Sequence, residues 1–248
     1  MHMTSVTTSD GVGEQDFTLG DVPGVLWFPD GATGPRPLVL LGHGGGNHKR
    51  GPGVLNRARH FAVSCGFAAA AIDMPGSGDR PRSHEEDRFW DEIRARRAAG
   101  ESVGEQVAGH FAELAGQAVP EWQAVLDELT KLDQAGAGGP VAYWGVSLGT
   151  MIGVPLAAAE PRISAAVFGL AGPGYRGALA EAAARISIPV EFLLQWDDEL
   201  IPREDALALF AAFGSAEKTL HANPGKHHEV PMFELDSSAR FLTRHLRP

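Results

Sequence analysis

Short apolar segments alternate along the chain with segments of helical periodicity, and turn-forming Pro, Gly and Asp residues separate them. An apolar run of four to eight residues is typical of a strand buried on both faces of a sheet. The pattern predicts strands at residues 25–28, 38–41, 67–72, 141–144, 163–170 and 190–194. It predicts helices at residues 54–64, 148–159, 178–184, 203–213 and 234–246. This alternation predicts an α/β fold, with a mostly parallel central sheet and helices on both faces, in a single domain over residues 1–248.

Residues 81–119 interrupt the alternation. They are charged and helical in character, with large apolar residues such as Phe89, Trp90 and Phe111 scattered through them. The segment predicts either a helical lid over the carboxyl edge of the sheet or an elaborated crossover between two strands. In a lid these aromatic side chains would line an acyl pocket, whereas in a crossover they would pack into the core.

The charge balance narrows the range of partners. The chain has 21 Lys and Arg against 31 Asp and Glu, a formal net charge of −10, which disfavours nucleic acid and anionic membranes. No apolar run approaches the length of a membrane span. Cys65 is the single cysteine, and the first residues lack the basic and apolar regions of a signal peptide, so we expect a cytoplasmic location. The oligomeric state stays open, a homodimer included.

The strongest chemical signal is Gly-Val-Ser-Leu-Gly at residues 145–149. It directly follows a predicted strand and precedes a helix rich in small residues. A serine at such a sharp turn projects above the sheet edge, and small residues two positions to either side avoid a clash. The alternative is an ordinary Gly-Ser-Gly turn with a capping serine. The strand–turn–helix setting favours Ser147 as a nucleophile.

A second glycine-rich turn, His-Gly-Gly-Gly at residues 43–46, follows the predicted strand 38–41. Glycines let the backbone approach a substrate closely, with N–H groups free to point at it. A dinucleotide-binding G-x-G-x-x-G pattern would need glycine where Asn47 or Lys49 stands, and the G-x-x-x-x-G-K-[ST] phosphate loop is also missing. The turn therefore favours the binding of an oxyanion over that of a phosphate.

Three motifs in this order resemble those of the α/β-hydrolase superfamily, and most of all its dienelactone-hydrolase and esterase branch. Residues 145–149 resemble the nucleophile elbow, residues 43–46 the oxyanion motif, and Asp-Met-Pro-Gly-Ser-Gly at 73–78 the turn after the next strand. The resemblance runs from about residue 25 to the C-terminus. It implies an α/β-hydrolase fold and an acid and a histidine downstream of the serine, in that order.

The resemblance assigns both of these residues. The segment 195–202 is similar to the family's G-x-x-D-x-x-V-P turn and aligns the acid with Asp198, although Gln195 replaces the usual glycine and Asp197 is the alternative. The segment 223–231, after a strand ending near His221, is similar to the family's histidine turn and matches His227. His228 is the alternative.

Paired histidines also raise the question of a metal site, which His43 and His48 would complete as a set of four with His227 and His228. Helical H-x-x-x-H and H-E-x-x-H patterns do not occur in the sequence, so the hydrolase interpretation is preferred. It requires no cofactor and no metal.

The resemblance implies a serine hydrolase that cleaves a carboxylic ester, or a related acyl bond, of a small molecule. Ser147, His227 and Asp198 would act as a catalytic triad through an acyl-enzyme, with the backbone N–H groups of Gly45 and Leu148 as the oxyanion hole. Acyl transfer or peptide hydrolysis on the same triad, and a non-catalytic ligand receptor on the same fold, are the alternative functions. Substrate identity does not follow from the sequence.

Overall fold

The computed structural model describes residues 1–80 and 82–246. Within these residues, ten strands form one sheet, as follows: β1 (His2–Met3), β2 (Thr7–Ser9), β3 (Val12–Leu19), β4 (Val22–Pro29), β5 (Leu38–Gly42), β6 (Ala68–Ile72), β7 (Val141–Gly145), β8 (Ile163–Gly169), β9 (Val190–Gln195) and β10 (Lys218–Asn223). The α-helices are α1 (Pro52–His60), α2 (His84–Ala98), α3 (Gly104–Leu129), α4 (Leu148–Ala159), α5 (Ala178–Ala183), α6 (Arg203–Ala212) and α7 (Phe233–His245).

The strands lie in the order β1-β3-β4-β6-β5-β7-β8-β9-β10, with β2 paired to β3. From β6 to β10 all neighbours are parallel, whereas β1, β3 and β4 add an antiparallel extension at one end. The predicted fold class, an α/β fold with a mostly parallel sheet, is confirmed. The antiparallel strands β1 to β3 were not predicted, because their exposed faces carry polar residues and give no apolar run.

The apolar run of β5 shows why the central strands consist almost entirely of apolar residues. Leu38 and Leu40 face one hydrophobic core, while Val39 and Leu41 face a second core on the opposite side of the sheet. Residues of α3 to α6 cover the first core, and residues of α1 and α7 cover the second. Because both faces of the strand are buried, alternate positions cannot be polar.

The segment 81–119 contains two helices, and the second is longer than predicted. Helix α2 begins at a capping box in which Ser83 and Glu86 each accept a hydrogen bond from the other's backbone N–H. Helix α3 continues beyond residue 119 to Leu129 and contains Pro120. Its C-terminal half, from Leu114 onward, packs in the first core, so this half forms the crossover from β6 to β7. Pro81 lies outside the described residues.

In the described part of the chain, no helix is both long enough and apolar enough to cross a bilayer.

Candidate active site

Ser147 lies between β7 and α4 in a backbone conformation that L-residues rarely adopt, with φ 57° and ψ −121°. Its N–H donates to the carbonyl of Gly169 at 2.9 Å, which ties the turn to β8. The flanking glycines are required by space, because a Cβ at Gly145 would lie 2.8 Å from the ring of Tyr143. One at Gly149 would lie 2.7 Å from the carbonyl oxygen of Gly42. The strained turn is therefore held from both sides and directs the serine side chain above the sheet.

The glycine-rich loop after β5 is anchored through His43, whose side chain is buried. Its Nε2 accepts the N–H of Met74 at 3.2 Å, and its Nδ1 lies 3.0 Å from the carbonyl oxygen of Gly44. Burial lowers the pKa of His43 and so favours the neutral ring. The acceptor role of Nε2 and the carbonyl facing Nδ1 place the ring proton on Nδ1. His43 therefore holds the loop in place rather than acting as a base.

A buried ion pair joins the same loop to the turn after β6. Lys49 Nζ lies 2.6 Å from Asp73 Oδ2 and also contacts Asp79. Asp73 is fully buried, and it accepts further hydrogen bonds from the backbone N–H groups of Lys49 and Asp79. Burial alone would raise the pKa of Asp73, but the Lys49 ammonium and these amides hold it below its usual value. The turn at 73–78 thus fixes the glycine-rich loop.

We expect Lys49→Met to lower the free energy of unfolding by about 3 kcal/mol at pH 7, because it leaves the Asp73 carboxylate buried without a countercharge. An ionised Asp73 with a lowered folded-state pKa stabilises the protein above the ordinary carboxyl pKa, and this contribution is lost as the pH falls through the folded-state value. The difference between variant and wild type should therefore shrink below about pH 4. Urea titrations at several pH values measure it.

The control is Lys131→Met, which removes an exposed ion pair with Glu128. Exposed pairs contribute little, so its unfolding curve should stay close to that of the wild type. Equal losses in the two variants would contradict a special role for the buried pair.

The structure brings the predicted serine, histidine and acid together. His227 Nε2 lies 3.0 Å from Ser147 Oγ, and His227 Nδ1 lies 2.7 Å from Asp198 Oδ2. The side chains of His227 and Asp198 are only 3% and 4% exposed. The second oxygen of Asp198 accepts the N–H groups of Leu200 and Ile201 at 2.8 and 2.9 Å. The carboxylate is thus fixed on one side by backbone and on the other by the imidazole.

The pairing of β9 with β10 explains how the acid and the histidine meet. These strands are parallel, and Asn223 pairs with Gln195, so the loops that follow them begin side by side. Gln195 is buried, and its Nε2 donates to the carbonyl of Lys226 at 3.2 Å. Glu199 accepts the backbone N–H of His227 at 3.0 Å. Sequence reasoning missed both supports, since a polar residue at a strand end or in a turn carries no specific signal.

The two alternatives named from the sequence lie apart from this chain of hydrogen bonds. Asp197 is exposed, and its carboxylate lies 3.4 Å from the N–H of Gly225. The exposed His228 packs edge-on against the ring of His227, with centroids 5.0 Å apart. Neighbouring residues on a turn point in different directions, so only one of each pair can reach Ser147.

Of the two predicted oxyanion residues, Leu148 directly follows the serine in the chain, and Gly45 lines the cleft that contains it. Leu148 is the first residue of α4, where a backbone N–H has no acceptor within the helix. Gly45 lies in the glycine-rich loop and lines the same cleft as Ser147. The N-terminus of α4 adds a positive partial charge at this place.

Ser147 opens into a cleft of about 1050 Å³. Helices α2 and α3 contribute part of its wall, including Trp90 and Phe111, whose ring centroids are 6.0 Å apart. Phe89 instead packs against Trp90 and His110. The segment 81–119 therefore contributes to the cleft as well as to the crossover.

Within the described residues, possible metal ligands converge at one place, formed by Glu191, His221 and Glu234. The four histidines considered from the sequence are not part of it. The cluster is internally hydrogen-bonded, since His221 Nδ1 lies 2.9 Å from Glu234 and Glu191 accepts the hydroxyl of Ser238. Burial raises the pKa of Glu191.

Comparison with solved structures places the chain in a family. A structure described as the PEG-bound complex of a novel cold-adapted esterase from an Arctic intertidal metagenomic library is 35% identical to this chain. It superposes with a TM-score of 0.77, and the match covers 98% of this chain and 97% of that one. The chain belongs to the α/β-hydrolase superfamily.

This α/β hydrolase also shares its fold with more distant enzymes. An acetyl xylan esterase from Paenibacillus sp. R4 is 18% identical with a TM-score of 0.73, over 99% of this chain and 89% of that one. Est1E from Butyrivibrio proteoclasticus, solved with ferulic acid, is 16% identical with a TM-score of 0.66, over 98% and 99%. No family model matches the sequence, and no curated protein does.

The prediction of the superfamily from its three motifs is confirmed. This α/β hydrolase is an enzyme of the carboxylesterase type, and its reaction is ester hydrolysis.

Proposed function

We propose that this α/β hydrolase cleaves its ester through an acyl-enzyme formed on Ser147. The observation that carries the proposal is the pair of distances at His227, 3.0 Å from Nε2 to the serine oxygen and 2.7 Å from Nδ1 to Asp198. These are hydrogen-bond distances, and they fit a serine, a base and an orienting acid in series.

In the first step, His227 Nε2 accepts the Ser147 proton while the hydroxyl oxygen attacks the ester carbonyl carbon. Asp198 accepts a hydrogen bond from the Nδ1–H group of His227. This bond keeps Nε2 unprotonated before the attack and stabilises the imidazolium after it. The imidazolium then gives its proton to the departing alcohol. The products of this half-reaction are the free alcohol and the acyl-serine ester.

In the second half-reaction, water attacks the acyl carbonyl, His227 accepts its proton, and Ser147 leaves with that proton restored. The negative charge on the carbonyl oxygen of each tetrahedral intermediate would be bound by the backbone N–H groups of Leu148 and Gly45. The cleft volume of about 1050 Å³ is close to the upper end of the roughly 300–1,000 Å³ that small-molecule pockets typically enclose, which leaves room for a small-molecule ester.

The test is labelling by a fluorophosphonate probe, followed by peptide mass mapping, on wild type and on Ser147→Ala. We expect one modified peptide, containing Ser147, and its loss in the variant. Ser83, which caps α2, is a matched control, because Ser83→Ala changes a hydroxyl outside the cleft and should leave labelling at Ser147 intact. Labelling at another residue, or ester hydrolysis by Ser147→Ala at the wild-type rate, would overturn the proposal. Failure to label under conditions that modify a control hydrolase would instead favour a ligand receptor.

A further inference from the structure

An arginine with no acidic partner lies in the wall of the catalytic cleft. Arg57, on α1, lines the cleft together with Ser147 and the glycine-rich loop. Its guanidinium stacks on the indole of Trp144, with the central carbon 3.7 Å from the ring centroid. Trp144 precedes Ser147 by three residues on the strand that leads to the elbow, and its Nε1 donates to Ser238 at 3.3 Å. The stacking on Trp144 therefore fixes the arginine in the wall of the cleft that also contains Ser147.

The hydrogen-bonding capacity of Arg57 is largely unused. Nη1 donates to the carbonyl of Gly53 at 2.9 Å, while Nε is buried and has no partner in the described part of the chain. Within residues 1–80 and 82–246, no carboxylate lies within 4.0 Å of this guanidinium, and burial lowers the pKa of Arg57 to about 10. The group nevertheless stays charged at neutral pH.

Some other partly buried arginines have acidic partners, whereas Arg36, which also lacks one among the described residues, donates to the backbone carbonyls of Asp133 and Gln134. Arg50 contacts both Glu14 and Asp16, and Arg80 forms a two-pronged pair with Glu121. A cation withdrawn from water without a countercharge is costly, and a guanidinium matches the two oxygens of a carboxylate. Arg57 thus offers a guanidinium without an acidic partner, as far as the structure describes the chain, in the wall of the cleft that contains Ser147.

The charge of the cleft contrasts with that of the protein. Its charged lining residues are three arginines and two acids, namely Arg57, Arg97, Arg176, Glu105 and Asp205. The chain as a whole carries a formal net charge of −10. The lining thus carries a net charge of +1, with Arg176 lying 4.0 Å from Glu105, and this local positive charge in an acidic protein favours an anion over a cation in the cleft.

We propose that Arg57 binds a carboxylate of the substrate, so that the preferred substrates are esters that carry a second, free carboxylate, such as monoesters of dicarboxylic acids. This inference rests on the proposed function, because it assigns the second polar group of the ester that Ser147 attacks. The cation–π contact with Trp144 holds the planar guanidinium still while its edge receives the carboxylate.

The test compares a charged ester with a neutral one of the same chain length, monoethyl adipate and ethyl hexanoate, by pH-stat titration. In Arg57→Met, the ratio of kcat/KM for monoethyl adipate to that for ethyl hexanoate should fall about 10- to 100-fold, chiefly through KM, because a charge-assisted hydrogen bond is lost. Arg57→Lys should retain part of the ratio. The control is Arg59→Met, which removes a charge from the same helix outside the cleft and should keep the ratio within about twofold.

An unchanged ratio in Arg57→Met would overturn the inference. If kcat/KM fell equally for both esters, the ratio would also be unchanged, and Arg57 would only support Trp144. If ethyl hexanoate is hydrolysed and Ser147 is labelled while the ratio is unchanged, the proposed function stands and the carboxylate inference alone fails.

A binding measurement keeps the inference testable even if Ser147 is not the nucleophile. Free adipate should bind the Ser147→Ala protein in a calorimetric titration, and adding Arg57→Met should weaken this binding at least tenfold. Binding that does not depend on Arg57, or no binding of adipate at all, would overturn the carboxylate inference.

Discussion

Replacing His227 by alanine is expected to lower kcat for ester hydrolysis by about 10⁶-fold, a loss of the size found when the base of a serine–histidine pair is removed. His227 is the group 3.0 Å from Ser147 Oγ, and without it the serine proton has no acceptor in the described residues at that distance. The alcohol also leaves without a proton donor. Steady-state hydrolysis of p-nitrophenyl butyrate, with active-site titration of the wild type, measures the effect.

The adjacent residue supplies the matched control. His228 is exposed and touches the ring of His227 edge-on without joining the hydrogen bonds to Ser147 or Asp198. His228→Ala should therefore change kcat by less than about tenfold, the scale of lost packing rather than of lost chemistry. If His228→Ala were the more damaging change, His227 would not be the base.

Replacing Asp198 by asparagine is expected to lower kcat by about 10⁴-fold with little change in stability. The N–H groups of Leu200 and Ile201 donate to Oδ1, so they orient an asparagine at this position with its oxygen toward them. Its NH₂ group then faces His227 Nδ1 and donates to it. The ring proton moves to Nε2, which points at Ser147 and can no longer accept the serine proton.

Asp197→Asn is the corresponding control, because this exposed carboxylate lies near the N–H of Gly225 and not near the imidazole. Its kcat should stay within about threefold of the wild type, as for a surface substitution. Kinetics on both variants, with circular dichroism to verify folding, checks the pair. A large loss in Asp197→Asn together with a small loss in Asp198→Asn would reverse the assignment of the acid.

The nucleophile elbow could be predicted because every requirement for it is local. Residues 141–149 contain the apolar strand, the glycines at 145 and 149 and the start of the small-residue helix in one stretch of chain. The structure gives each of them its expected place. The loop at 43–46 and the turn at 73–78 are equally local, although the buried Lys49–Asp73 pair that joins them depends on a contact 24 residues apart. Local backbone requirements leave a mark in the sequence, whereas long-range contacts between common residue types do not.

The sequence alone could not decide which of two adjacent acids, or which of two adjacent histidines, belongs to the site. Asp197 and Asp198 are chemically the same, and so are His227 and His228, so composition cannot separate them. Their separation follows from the register of β9 with β10 and from Gln195, which fixes the histidine loop by its backbone. A shift of one residue in either loop would present the other member of the pair. Strands β1 to β3 were not predicted from the sequence, because the polar residues on their exposed faces interrupt any apolar run.

By itself the sequence determined the fold class, the superfamily and Ser147 at the elbow, because these depend on the period of apolar residues and on glycines at fixed positions in short segments. Only the tertiary structure decided which acid and which histidine reach that serine, and that α2 and α3 border the cleft. It also decided that Arg57 lies over Trp144 without an acidic partner. These features arise where segments far apart in the chain meet, and the direction of a side chain there is set by the packing of the whole sheet and its helices.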